Sequence, residues 1–361
     1  MHSAARTGLH HSLPLGIALG AGSAKGFAHI GVLTELEAVG VRPDLICGTS
    51  SGALIAAIYA AGKLDEFEAW TRQLDVPAIL RLLDLNFTVS GGMATAQRLI
   101  EHFRAEMGDL AIEDLATPFA AIATDLYTGR EVWLTRGSLW DAVRASVAVP
   151  GLLTPQLVDG RWLVDGGLVN PVPVSLCRAL GAEKVIAVNL LADVIGKHIG
   201  HGGRERPIEP VEPRDNSLLD AVTTELRSRA GAMVPSWLRG GDTDAPGMMT
   251  VVASSLDIMQ DRITRSRLAG EPPELLLTPR LAHVSLLEFH RAAEAIDIGR
   301  RCVQLSRQSI CELLGLPYPQ ETGPGDGGPG HDGPGNGTPG SGAVRGDASG
   351  PPATGTGSPP D

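Results

Sequence analysis

Two short runs hold the residues of this chain best suited to chemistry. One is a serine between glycines, Gly48-Thr49-Ser50-Ser51-Gly52, and the other is Asp165-Gly166-Gly167. A serine hydroxyl becomes a nucleophile when a neighbouring base takes its proton, and a carboxylate held in place is one such base. A third run, Gly20-Ala21-Gly22-Ser23-Ala24-Lys25-Gly26, offers backbone amides with few bulky side chains around them. Such amides stabilise the oxyanion that forms when a hydroxyl attacks an ester carbonyl. Each run is weak evidence by itself, because the chain has 45 glycines and Gly-Ser and Asp-Gly turns are common.

The flanking elements add specificity. Leu45-Ile46-Cys47 reads as a short buried strand, and the small and aliphatic residues after Gly52 read as a helix. Ser50 then sits on a sharp strand-to-helix turn, its hydroxyl above the sheet edge and the helix dipole aimed at it. Leu13 to Ala21 reads as the first buried strand and Phe27 to Val39 as a helix, so the glycine loop is a second strand-to-helix corner suited to an anion. Gly20 and Gly22 also match half of a dinucleotide fingerprint, which calls for an acidic residue at the far end of the second strand. That strand ends in Cys47-Gly48-Thr49-Ser50, and Asp44 stands at its start. Adjacent parallel strands open at one sheet edge. An oxyanion hole at Gly22, Ser23 and Ala24 beside Ser50 therefore accounts for both corners, and the nucleotide reading for one.

The base is chosen by position. A Ser-His-Asp triad wants a histidine on a loop after a late strand. His283 and His290 lie in or beside a helical stretch, and His29 is in the first helix, where a packed or capping role is the commoner one. Asp165 follows the short strand Arg161 to Val164 in a tight turn, which points to a Ser50–Asp165 dyad. For Lys25, a phosphate ligand and a salt bridge that ties the loop down stand level.

The remaining pattern is an alternation of helices and strands. Residues 63–115 read mostly as helices, broken at Ser90-Gly91-Gly92, with Phe67, Trp70, Leu74, Leu99, Ile100 and Phe103 at helical spacing. Aromatic residues so spaced are more often core than pocket, although an acyl chain would need such a lining. Pro118 to Thr124 is a buried strand, Glu131 to Leu134 pairs back on it, Leu139 to Ser146 is helical and Ala145 to Gly151 is a loop. Val185 to Asn189 is another buried strand and Glu274 to Thr278 an edge strand. Helices follow at Leu218–Leu238, at 250–268 and, as one long final helix, at Phe289–Leu314.

Composition narrows the class. The net charge of -11 argues against nucleic-acid binding, and 4% aromatic residues argue against a base-stacking site. Cys47, Cys177, Cys302 and Cys311 are scattered through apolar stretches, which suits buried thiols in a reducing compartment better than disulfides or zinc. No run approaches the 18 apolar residues of a membrane span. Residues 1–12 read as a flexible leader and 196–216 as an exposed loop. Of the 41 residues from Glu321 to Asp361, 22 are Gly or Pro, too many to bury a core, so 316–361 reads as a disordered tail.

Taken in order, the run Gly22 to Leu33 (GSAKGFAHIGVL), the elbow Gly48–Gly52, the segment Ala145–Pro150 and Asp165-Gly166-Gly167 resemble the patatin-like phospholipase family, in its bacterial neuropathy-target-esterase-like branch. The resemblance spans roughly residues 13–315. It implies a three-layer α/β/α sandwich with a mainly parallel central sheet. It further implies hydrolysis of lipid acyl esters, with Ser50 as nucleophile, Asp165 as base and the glycine loop as oxyanion hole. Gly20, Lys25, Gly26, Gly48, Gly52, Gly166 and Gly167 would support those motifs. No metal or cofactor is needed. The chain departs from the family at Ala21-Gly22-Ser23, where three glycines are usual, and at Lys25, where arginine is usual; Lys keeps the charge and loses the planar fork.

A lipid acyltransferase and a retired hydrolase kept as a binding module stay open as alternatives. The expected partner is a lipid ester met at a membrane surface, and the expected place is the cytoplasm, peripheral at the inner membrane face. The Leu218–Leu238 helix, with Trp237 at its end and Arg227, Arg229 and Arg239 nearby, either packs on the core or lies among headgroups; the first is favoured. Nothing in the residues sets the oligomeric state.

Overall fold

A computed structural model describes residues 13–83, 92–193 and 248–317. The leader, the 196–216 loop, the Leu218–Leu238 helix with Trp237, and nearly all of the tail lie outside the described residues. The chain divides into two units, Met1–Tyr318 and Pro319–Asp361, and everything below concerns the first.

The elements follow one another as β1 (Leu15–Leu19), α1 (Ala28–Ala38), β2 (Leu45–Thr49), α2 (Ser51–Ala60), α3 (Leu64–Thr71), α4 (Val76–Leu83), β3 (Gly92–Ala94) and α5 (Gln97–Met107). Then come β4 (Phe119–Asp125), β5 (Glu131–Leu134), α6 (Leu139–Ser146), β6 (Gly151–Leu153), β7 (Gln156–Val158), β8 (Arg161–Asp165), α7 (Val174–Ala179) and β9 (Lys184–Val188). The last are α8 (Met248–Gly270), β10 (Leu275–Leu277), α9 (Ala292–Leu305) and α10 (Arg307–Leu314). The main sheet runs β10-β9-β1-β2-β4-β8-β7, with β5 also on β4. Its first five strands are parallel, and β5, β7 and β8 are antiparallel additions.

The central strands alternate between two cores. Ile17, Ile46, Ala121 and Ile186 face a large core shared with α1, α2, α5, α6 and α9. Ala18, Cys47, Ile122 and Ala187 face a thinner one closed by Val174, Leu176 and Cys177 of α7. Helices thus cover both faces of the sheet, giving a three-layer α/β/α sandwich. A strand buried on both faces reads as an unbroken apolar run, which is why β1, β2, β4 and β9 are legible in the sequence.

Three expectations need correction. The final helix is not one piece: a 3-10 turn (Phe289–Arg291) precedes α9, and the chain breaks at Ser306 before α10. The loop read at Ala145 to Gly151 stops one residue short at its end, because Gly151–Leu153 forms β6. It pairs in parallel with β3, a strand the helical reading of 63–115 did not contain. No helix among the described residues is long and apolar enough to cross a membrane.

Helix α1 carries the glycine loop at its N-terminus, and its position is set by contact with α9. A β-carbon at Gly31 would lie 1.9 Å from the Ile296 carbonyl oxygen, and one at Gly299 would lie 2.0 Å from that of Ala28. The two backbones touch, and no side chain fits between them. Gly299→Ala is expected to destabilise the fold by about 1–3 kcal/mol. Gly270→Ala, at a position with nothing within 4 Å, serves as control. Equal urea midpoints for the two variants would contradict the close α1–α9 crossing.

Candidate active site

The geometry of the candidate site arises from a reversal of strand direction along one side of β4. Ala121 and Ile122 pair with β2 on one side and β5 on the other, whereas Ala123 and Thr124 pair with β8 and β5. Strands β2 and β8 therefore lie on the same side of β4, in line and pointing at each other. β2 ends at Thr49 and β8 ends at Asp165, so the next residue, Ser50, meets Asp165 head on. The Ser50 Oγ donates to Asp165 Oδ2 at 2.5 Å.

Ser50 has φ 56 and ψ -126, a backbone conformation that non-glycine residues rarely adopt. It is held by Ser146, whose Oγ accepts the Ser50 amide at 2.9 Å and donates to the Ile122 carbonyl at 2.6 Å. The elbow glycines leave room for this turn: a β-carbon at Gly48 would lie 2.4 Å from the Gly52 carbonyl oxygen, and one at Gly52 would lie 2.2 Å from that of Leu19.

Asp165 is 1% exposed. Its Oδ1 accepts the Gly167 amide at 2.6 Å, its own amide donates to the Ala148 carbonyl, and its carbonyl accepts from Thr124 Oγ1. Burial raises its pKa from 3.8 to about 6, against the Ser50 and Gly167 hydrogen bonds that lower it. A carboxyl group that titrates just below neutrality is close to the optimum for proton transfer at physiological pH.

The glycine loop meets the elbow through Gly26, where a β-carbon would lie 2.4 Å from the Ser51 side chain. Gly20 and Ala21 donate their amides to Val188 and Pro171 within the sheet edge. The expected oxyanion set needs one correction. The Ala24 amide is already spent on the Leu286 carbonyl at 3.1 Å, so it has no hydrogen to offer a substrate. Gly22 and Ser23 donate to no acceptor among the described residues, and Ser23 lines the same pocket as Ser50. Ser23 has φ 48, which explains why glycine suits this position. Lys25 is buried and its Nζ lies 3.4 Å from Asp257 of α8, so it ties the loop down.

His29 is a brace. Its Nε2 donates to the Gly20 carbonyl at 2.7 Å, Nδ1 has no partner, and burial lowers its pKa from 6.5 to about 4. As pH falls from 6.5 toward 4, the unfolded chain takes a proton that the folded His29 refuses, and stability is lost. Asp165 acts in the opposite sense over nearly the same window, so the test compares two proteins. His29→Gln keeps an N–H donor and cannot titrate; relative to wild type it is expected to gain up to about 3 kcal/mol between pH 7 and pH 4 while staying active. Parallel urea midpoints across that range would show that His29 is protonated in the fold.

Beside Ser50 lies an apolar pocket of about 130 Å³, walled by Leu54, Phe67, Trp70, Phe103, Val143 and Phe289 among others. Phe67 and Phe103 belong to the core and to the pocket wall at once. Their helical spacing favours a core role, and the same residues also form the lining that an acyl chain would need.

Two contributors escaped the sequence reading. Ser146 lies in the Ala145–Pro150 segment, whose role only the hydrogen bonds to Ser50 and Asp165 reveal. Ser51, at the first turn of α2, donates its amide to no acceptor among the described residues, and its buried Oγ has no partner. A general rule could have flagged it, since the residue after an elbow nucleophile often supplies an oxyanion amide. No described histidine bonds to Ser50 or Asp165; His283 pairs with Glu294. The Asp44 carboxylate accepts the Leu15 amide at the opposite end of β2. No group of three metal-ligating side chains occurs among the described residues, and all four cysteines are free.

Residues 17–178 match the patatin-like phospholipase family. An uncharacterized NTE family protein of Mycobacterium tuberculosis is 35% identical over 329 residues, covering 79% of this chain and 88% of that protein. The neuropathy target esterase sws of Drosophila melanogaster is 32% identical over 183 residues, 49% of this chain and 13% of that protein. Human patatin-like phospholipase domain-containing protein 6 is 35% identical over 183 residues, with the same coverage. Among solved structures, VipD of Legionella pneumophila aligns over 82% of this chain and 67% of that one, at TM-score 0.42 and 13% identity. With a long relative matched almost end to end and the family's motifs in one sheet edge, this chain belongs to the patatin-like phospholipase family, in its NTE branch.

Proposed function

We propose that the chain is a serine hydrolase that cleaves acyl esters of phospholipids or lysophospholipids through a Ser50–Asp165 dyad and an acyl-enzyme. The observation that carries this reading is the 2.5 Å Ser50–Asp165 hydrogen bond at an apolar pocket. Asp165 takes the Ser50 proton as Oγ attacks the ester carbonyl. The amides of Gly22 and Ser23, joined by that of Ser51, receive the oxyanion. Asp165 returns its proton to the leaving alcohol as the C–O bond breaks. Water then attacks the acyl-enzyme and gives a proton to Asp165, which passes it to Ser50 Oγ as the acyl C–O bond breaks, releasing the fatty acid and restoring both residues. The aromatic and aliphatic wall suits an acyl chain and carries no charge to recognise a headgroup.

The test joins two assays. A fluorophosphonate probe should label Ser50, and a lipid panel should release free fatty acid from glycerophospholipids or their lyso forms. Acyl transfer to an added alcohol, with no fatty acid released in its absence, would make the protein an acyltransferase. No labelling and no turnover in the folded protein would leave a binding module.

A further inference from the structure

One polar group at the site takes no part in the proton transfers: the side-chain hydroxyl of Ser51. Ser51 is the first residue of α2, directly after the nucleophile. In a helix the Cα–Cβ bond tilts toward the N-terminus. This side chain therefore leans back toward the end where Ser50 sits and where the first-turn amides lack partners within the helix. A serine at such an end commonly folds its hydroxyl onto a nearby backbone group. The Ser51 Oγ does not: it is buried and has no hydrogen-bond partner among the described residues. Leaving a buried hydroxyl unpaired costs stability, and alanine, the better helix former, would avoid that cost.

Two walls fix where the hydroxyl lies. Toward the glycine loop, Ser51 Oγ and Cβ both lie 2.4 Å from the point that a β-carbon on Gly26 would take, so the side chain packs against bare backbone. Toward the pocket, Ser51 lines the same cavity as Ser50 and Ser23. Among the described residues of that lining, only these three serines and Trp70 carry a polar side-chain atom. The hydroxyl therefore lies between the elbow of the nucleophile and the loop whose Gly22 and Ser23 amides are unspent. An ester whose carbonyl carbon meets Ser50 Oγ and whose carbonyl oxygen meets those amides brings that oxygen to the same corner. An acyl chain could not satisfy the hydroxyl, whereas an oxygen that gains negative charge could.

We propose that the Ser51 hydroxyl is a catalytic hydrogen-bond donor, joining the backbone amides on the oxyanion. The proposal rests on the hydrolase reading and adds a side chain to it. The hydroxyl keeps its proton throughout: Asp165 takes and returns the proton of Ser50, and Ser51 donates a hydrogen bond to the oxygen beside it. Such a bond strengthens as charge develops on its acceptor, so it acts on kcat more than on ground-state binding.

The test is Ser51→Ala in the full chain, assayed with a water-soluble short-chain nitrophenyl ester and with a fluorophosphonate probe, beside urea unfolding. The alanine protein is expected to lose about 10²-fold in kcat, with KM within about threefold of wild type. Probe labelling should slow by a similar factor, because the phosphoryl oxygen of the probe takes the place of the oxyanion. The urea midpoint should equal or exceed that of wild type, since alanine keeps the β-carbon and removes an unpaired hydroxyl. Unchanged kcat and labelling overturn the proposal and leave the dyad standing. So does a raised KM at unchanged kcat, which makes the hydroxyl a ground-state contact. So does a rate loss with a lowered urea midpoint, which assigns the hydroxyl to the fold. A wild type that neither turns over the ester nor takes the label fails the hydrolase reading itself, and the Ser51 assignment falls with it.

Discussion

Ser50→Ala leaves a folded protein whose ester hydrolysis falls by about four to six orders of magnitude, the loss expected when an activated nucleophile is removed. Probe labelling disappears with it. The substitution deletes the atom that attacks and one of the two side-chain hydrogen bonds of Asp165, while the Ser146 bond to the residue 50 amide remains. Backbone strain at φ 56 stays in the alanine protein and leaves in Ser50→Gly. The glycine variant should therefore be equally inactive and more stable than the alanine variant by about 1 kcal/mol. Chromogenic ester turnover and thermal melts of the three proteins check both statements. Undiminished turnover in a folded Ser50→Ala protein would falsify the nucleophile assignment.

Asp165→Asn separates stability from activity. The amide cannot take a proton from Ser50, and the rate should drop by about 10⁴-fold. Stability should move the other way. Burial raises the Asp165 pKa from 3.8 to about 6, so between those values the folded chain holds a proton that the unfolded chain has released. Stability is therefore lost as pH rises through that window, and above it the ionised carboxylate costs up to about 3 kcal/mol. Asparagine avoids that cost and keeps both contacts, accepting the Gly167 amide with Oδ1 and donating to Ser50 Oγ with Nδ2. It should melt above wild type at pH 8, with the gap closing near pH 4. In wild type, kcat/KM should rise with pH through about 6 and level off as Asp165 ionises. An active Asp165→Asn protein beside a folded, inactive His290→Ala protein would turn the dyad into a triad.

Local residue types determined a good deal of this protein without help from the fold. Apolar runs named β1, β2, β4 and β9 because strands buried on both faces have no polar positions. Glycines around Ser50 marked the elbow, because β2 and α2 pack backbone to backbone there. The carboxylate before Gly166-Gly167 stood out for the same local reason.

What the sequence could not decide depends on contacts between distant residues. Ser50 and Asp165 lie 115 residues apart, and only the exchange of β2 for β8 along one side of β4 brings them together. The Ala24 amide was misjudged because Leu286, far along the chain, takes it. Strands β3 and β6 are three residues each, too short to show a period, and each exists only because the other pairs with it. The basicity of Asp165 and the neutrality of His29 are set by burial, which neighbouring residues do not encode. Residue type decides the local turn and which groups could react. Sheet order, register and exclusion of water decide which of them meet, and in what state of protonation.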